Sequence, residues 1–349
     1  MSSRSQVVSA THFPVRDEWL SQTSEEILEP NLPIIDPHHH IWDRPGWRYM
    51  IDDIAQDLAS GHNIIATVFV QCHSMHRANG PEEMAPVGET EFVNGVAAIG
   101  ASGLYGKQRL CAGIVGHANL TLGEAVQPIL EAHIQAGGDR FRGIRHITAW
   151  DEDDRLINKS YSVTKGLLAD PNFRAGFAEL EKLNLSFDAW LYHPQIDELT
   201  DLAQNFPGTT IILDHCGGPL GLGEYAKASQ NVFASWRNSI EKLAGCRNVK
   251  VKLGGLGMRI NGYDFHEKPL PPTSDELAKA WFPYIDTCIQ AFGPDRCMFE
   301  SNFPVDKGSY SYPIYWNACK KLTNDLNIEE REYLFSKTAA EVYRIDLGE

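Results

Sequence analysis

The sequence predicts an α/β protein of the (β/α)8 TIM-barrel class, a single domain behind an N-terminal arm. Three observations carry this. Eight short apolar runs alternate with segments of helical spacing along the chain. Each run ends in a polar or glycine-rich loop, as parallel strands joined by helical crossovers do. No Gly-x-Gly-x-x-Gly follows an early strand, which counts against the doubly wound open sheet, the alternative.

The chain has 349 residues, 43% hydrophobic and 22% charged, which is ordinary globular composition with length for one large barrel. Its formal net charge of -15 argues against nucleic acid and anionic membranes as partners. A local arginine would still admit an anionic substrate. The 7 cysteines lack a Cys-x-x-Cys pair, so a disulfide framework is not expected and a reducing cytoplasm is. Residues 1–11 are polar, without the apolar stretch of a signal peptide, and no run of about 18 apolar residues occurs.

Residues 1–32 read as the arm and 33–349 as the barrel. Pro14, Pro30 and Pro33 interrupt short helical turns at 16–20 and 24–28. The arm is expected on the body or on a neighbouring subunit, with a homo-oligomer left open. Strands are expected at 34–40, 63–72, 110–116, 141–147, 185–192, 209–215, 249–255 and 296–302. Helices are expected at 50–60, 89–101, 122–137, 171–183, 196–205, 232–243, 274–292, 312–322 and 328–343. A proline-rich insertion occupies 261–272.

In such a barrel the working residues collect at the C-terminal strand ends. Here those ends carry His38, His40, Gln71, His73, His117, Arg145, His146, Tyr192, His193, His215, Lys252, Glu300 and Asn302. Histidine recurs in that set although the chain has only 13. Alternation puts His38 and His40 on one face of their strand and His39 on the other. His38, His40 and His215 are candidates to polarise a carbonyl or hold a cation. Arg145 is the candidate carboxylate anchor through its bidentate fork, with an ion pair to the acidic loop 151–154 as the competing role. Gln71, His73, Trp190, Tyr192 and His193 are candidates to line a substrate pocket. Plain core packing competes for Trp190.

Four motifs then stand out: Asp36-Pro37-His38-His39-His40-Ile41-Trp42, Arg142-Gly143-Ile144-Arg145-His146, Leu213-Asp214-His215-Cys216-Gly217-Gly218-Pro219 and Met298-Phe299-Glu300-Ser301-Asn302-Phe303-Pro304. Together they resemble the amidohydrolase superfamily, in its amidohydrolase-related branch of lactonases and decarboxylases. The likeness is to the sugar lactonases, 2-pyrone-4,6-dicarboxylate lactonase and sulfomuconolactone hydrolase. It covers about residue 33 to the C-terminus and implies a barrel that cleaves a lactone or related carboxyl bond. If a metal is bound, zinc is expected on His38, His40, His193 and Glu300; otherwise no cofactor is expected.

One departure bears on mechanism. The family usually ends its eighth strand in Ser-Asp-x-Pro, with the aspartate as base or metal ligand. Here that position is Asn302, an amide that takes no proton near neutral pH. Glu300 stands one layer deeper, where the family usually has a small residue, and should point into the barrel beneath His38 and His215. Three readings follow. The first is hydrolysis of a small cyclic ester, with Glu300 activating water. The second is non-oxidative decarboxylation, or hydration, of an aromatic or dienoic acid. The third is a non-catalytic barrel that binds a metabolite.

Overall fold

The computed structural model describes residues 12–347; the arm's residues 1–11 lie outside that range. Ten strands occur: β1 (Ile34–His39), β2 (Trp42–Arg44), β3 (Trp47–Tyr49), β4 (Ile64–Val70), β5 (Arg109–Gly116), β6 (Phe141–Arg145), β7 (Ser186–Ala189), β8 (Ile211–Leu213), β9 (Val249–Leu253) and β10 (Cys297–Phe299). Eight of them form one sheet in the order β1-β4-β5-β6-β7-β8-β9-β10, every neighbouring pair parallel. The ends of the sheet meet. Asn302 N donates to His38 O at 3.0 Å and His40 N to Phe303 O at 2.8 Å. The result is the (β/α)8 barrel that the sequence predicts.

Alternation sorts the side chains. Val249, Val251 and Leu253 of β9 face the helical layer, so Lys250 and Lys252 face inward. Ile211 and Leu213 likewise turn Ile212 and Asp214 inward, and Cys297 and Phe299 turn Met298 and Glu300 inward. The lower interior is apolar: Ile35, Val68, Val115, Ile212 and Met298 pack on Tyr343 and Ala339 of the last helix, Thr338–Tyr343. Above that layer the interior becomes charged.

Several elements differ from expectation. β2 and β3 form a small antiparallel hairpin that the sequence reading lacks. β8 and β10 end before His215 and Asn302, because these residues take φ of 57° and 54°, outside the strand region. The helix expected over 122–137 starts at Gln127, since Gly123 at φ 61° breaks the first turn. The helix expected over 328–343 is interrupted by a π-turn at Tyr333–Lys337. The turn expected over 24–28 is irregular chain.

The described arm packs on the body. Glu25 accepts from the backbone N of Ser274, the first residue of the helix Ser274–Phe292, at 2.8 Å. Glu29 pairs with Arg331 at 2.6 Å, and Lys320 Nζ donates to Leu28 O at 2.7 Å. The 7 cysteines are free and buried. Among the described residues no helix is long and apolar enough to cross a membrane.

Candidate active site

The charged upper layer is organised on Glu300. Its Oε1 accepts from His215 Nδ1 at 2.6 Å and from the His215 backbone N at 3.0 Å. Its Oε2 lies 2.7 Å from His38 Nδ1. Two glycines after β9 make room. A Cβ on Gly254 would lie 2.5 Å from Glu300 Cγ, and one on Gly255, at φ +65°, would lie 2.5 Å from the His215 ring. The left-handed backbone at His215 and Cys216 then aims the imidazole back over the barrel.

His38 lies between two cations, its Nε2 3.2 Å from Arg145 Nη1 and its Nδ1 3.3 Å from Lys252 Nζ as well as 2.7 Å from Glu300 Oε2. The tautomers of His215 and His40 are fixed by their partners. His215 donates through Nδ1, which leaves its Nε2 bare. His40 Nδ1 donates to Val70 O at 2.7 Å, leaving Nε2 bare as well. Burial, joined by the nearby Lys252 ammonium, holds His38 neutral, well below the usual imidazole range. For Glu300, burial favours the neutral acid, but the imidazoles of His215 and His38 outweigh it and bring the carboxyl down to about 2.

A second set of charges supports the first. Lys252 Nζ is fully buried, 2.6 Å from Asp188 Oδ2 and 3.1 Å from Asp214 Oδ1. Asp214 Oδ2 is 3.5 Å from Arg145 Nη1. Tyr343 OH donates to Asp188 at 2.7 Å. Burial and the neighbouring Asp214 oppose ionisation of Asp188, whose carboxyl rises to about 6 despite the Lys252 contact.

Above the network is a cleft that opens to solvent. His40, His215, Arg145 and Asn302 reach it from the strand ends, between the rings of Trp42, Tyr161 and Trp190. Arg44 of the hairpin and His12 of the arm complete its rim. Asn302 Nδ2 donates to Asp306 Oδ1 at 3.0 Å, and burial pushes the Asp306 carboxyl up to about 7.

The structure therefore brings together His38, His40, His215, Arg145, Glu300, Asn302 and Trp190. It does not bring Tyr192 or His193 to the cleft. The Tyr192 hydroxyl donates to Leu156 O, and His193 accepts from Leu220 N at 3.3 Å beside Tyr225. His73 stands against Tyr161, with ring centroids 4.3 Å apart, so it acts on the cleft wall from behind. Gln71 is buried, and its backbone carbonyl receives Arg145 Nη2. Arg145 is paired across the barrel with Asp214, not with the acidic loop. Glu300 faces imidazoles and not the cleft, so it is placed to hold histidines and not to take a proton from water. Sequence reasoning missed Arg44, on a strand of three residues, and Tyr161 and His12, on irregular segments; none has a periodic signal. It also missed the pairing of Lys252 with Asp188 and Asp214, although alternation in Val-Lys-Val-Lys-Leu marks Lys252 as inward.

The fold and this site define a class, and comparison with known proteins agrees. A family model described as amidohydrolase matches residues 35–345, and the chain belongs to that family. It is 33% identical over 337 residues to the uncharacterized protein y4mH of Sinorhizobium fredii, covering 90% of this chain and 99% of that one. It is 23% identical over 322 residues to an L-fucono-1,5-lactonase of Burkholderia multivorans, covering 89% and 96%. A crystal structure of a Burkholderia multivorans amidohydrolase with bound zinc superposes with a TM-score of 0.68 at 22% identity, covering 90% of this chain and 99% of that one.

That relative raises the question of a metal here. His38, Asp214 and His215 offer ligand atoms within 4.8 Å of one another. Their donors are already engaged. Both nitrogens of His38 have partners, at 2.7 Å on Glu300 and 3.2 Å on Arg145. Asp214 lies between Lys252 and Arg145, so a divalent ion there would face an ammonium and a guanidinium at short range. Of these three only His215 has an open nitrogen, Nε2, and His193, expected as a fourth ligand, is turned away, so that His40 Nε2 is left as the one further open imidazole nitrogen among the expected ligands. These residues do not fit a metal in this arrangement.

Proposed function

We propose that this protein is a hydrolase that opens a small cyclic ester. The observation that carries the reading is the Glu300–His215 pair with its bare Nε2 at the cleft. Such an imidazole is a general base. His215 Nε2 takes a proton from water, and the resulting hydroxide attacks the ester carbonyl. The imidazolium is stabilised by Glu300 through Nδ1–H. As the ring C–O bond breaks, the same Nε2–H protonates the departing alkoxide. Arg145, the cation at the cleft floor, stands where it can stabilise the oxyanion. This moves carbonyl polarisation from His38, which lies between two cations, and His40, whose bare Nε2 is an acceptor, to the guanidinium. The amidohydrolase match and the lactonase among the relatives support the same reaction class.

The test is turnover of a panel of five- and six-membered lactones, followed by pH change, with His215→Asn alongside. The expected result is ring opening by the wild type and a loss of about 10²-fold or more in kcat for the variant. Carbon dioxide release from an aromatic acid without any lactone opening would instead identify a decarboxylase.

A further inference from the structure

The cleft contains two guanidinium groups with different surroundings. Arg145 has its donors on His38, the Gln71 carbonyl and Asp214. Arg44 is less engaged. Its guanidinium lies 4.1 Å over the Trp42 ring, and one Nη donates to Cys72 O. The other arginine of the hairpin, Arg48, is exposed and paired with Asp52 and Asp53 at 2.8 and 2.6 Å. Arg44 has no carboxylate within ion-pair distance among the described residues. A half-buried guanidinium without a counter-charge has donors free for an anionic ligand. The floor and walls of the cleft give it none: among the described residues no aspartate or glutamate lines it.

We infer that Arg44 is the anion-binding group of the cleft and that the ligand carries a carboxylate beside the ring held between Trp42, Tyr161 and Trp190. Trp42 fixes the plane of the guanidinium, and the Cys72 carbonyl fixes its rotation, so one edge of the fork is presented to the cleft. The carboxylate then lies at the rim and the scissile carbonyl at Arg145 and His215. The inference rests on the cleft being a substrate site, as proposed above, but not on which bond is broken there.

The test uses malonate as the anionic probe and malonamide as its neutral counterpart. Calorimetric titration at low salt is made on the full-length wild type, Arg44→Met, Arg44→Gln and Arg44→Lys, with thermal unfolding of each. The expected result is malonate binding to the wild type without malonamide binding. Arg44→Met should weaken malonate about tenfold or more, and Arg44→Lys should restore part of it. Equal malonate affinity in wild type and Arg44→Met overturns the inference, as does a wild type that binds malonamide as well as malonate or binds neither. If Arg44→Met does not fold, Arg44→Gln decides: full malonate affinity with lowered unfolding temperature in that neutral variant would show a packing role only and overturn the inference. Arg44-dependent malonate binding by a protein that opens no lactone supports the anchor and refutes only the hydrolase reading.

Discussion

Glu300 shows how one carboxylate holds two histidines. Its Oε1 receives the His215 Nδ1–H, which leaves His215 Nε2 without a proton on the cleft side, while Oε2 lies 2.7 Å from His38 Nδ1. Glutamine at this position would keep the shape but remove the charge that stabilises the His215 imidazolium. Glu300→Gln is expected to lower kcat per folded molecule by about 10²–10⁴-fold while KM stays within about threefold, because the side chain does not reach the cleft. Steady-state kinetics corrected for the folded fraction would check it; a raised KM with unchanged kcat would refute this role. The same carboxylate affects stability. Its folded value of about 2 lies below the usual value of 4.5, so its favourable contribution is present above about pH 4.5 and is lost as pH falls towards 2. That Glu300 faces His38 and His215 is legible in the sequence by alternation along one strand. The His40 tautomer is not, because it depends on the Val70 carbonyl, which arrives from another strand.

Among the elements, β9 contributes most per residue to the site. Its Val-Lys-Val-Lys-Leu run puts Lys252 inside, and Gly254-Gly255 then lets Glu300 and His215 approach. Gly255→Ala adds a Cβ at φ +65° against the His215 ring. The variant is expected to lose about 1–3 kcal/mol of stability from backbone strain and, in its folded fraction, at least tenfold in kcat. Chemical denaturation and kinetics together would check it, and a folded variant with full kcat would show that the glycine serves packing only. The helices were the most legible elements. Ser274–Phe292 begins at Thr273, whose capping box with Glu276 is written in the sequence. The β2–β3 hairpin was not legible, since three-residue strands carry too little alternation to read. It is this element that supplies Arg44, so the rim of the site was hidden while the floor was visible. Arg145 is legible as a strand-end residue, but its ion pair with Asp214 is not, because no local pattern says which acid faces it across a barrel.

Taken whole, the molecule keeps many imidazoles neutral by burying them. His39 and His73 are lowered to about 3, and His117, His133 and His193 to about 4, burial being the largest cause in each. The unfolded chain protonates them near pH 6.5, so each disfavours folding by up to about 1.4 kcal/mol per pH unit below that. Burial acts the other way on carboxyls such as Glu89 and Asp306, both near 7, which hold protons in the folded state and lose them on unfolding. The histidines are more numerous. Stability is therefore expected to fall as pH drops from about 7.5 to 5.5, read as a lower urea midpoint; an unchanged or higher midpoint at pH 5.5 would contradict this balance.

The seam of the barrel has a consequence for how the chain acquires activity. His38 and Asn302 are joined through their backbones at the place where the first strand meets the last. A chain emerging from the ribosome holds His38 early, yet its partner Glu300 arrives only some 260 residues later. Partial chains, or a chain cut before β10, have no weakened version of the site; they have none. Competence for catalysis and completion of the fold are one event.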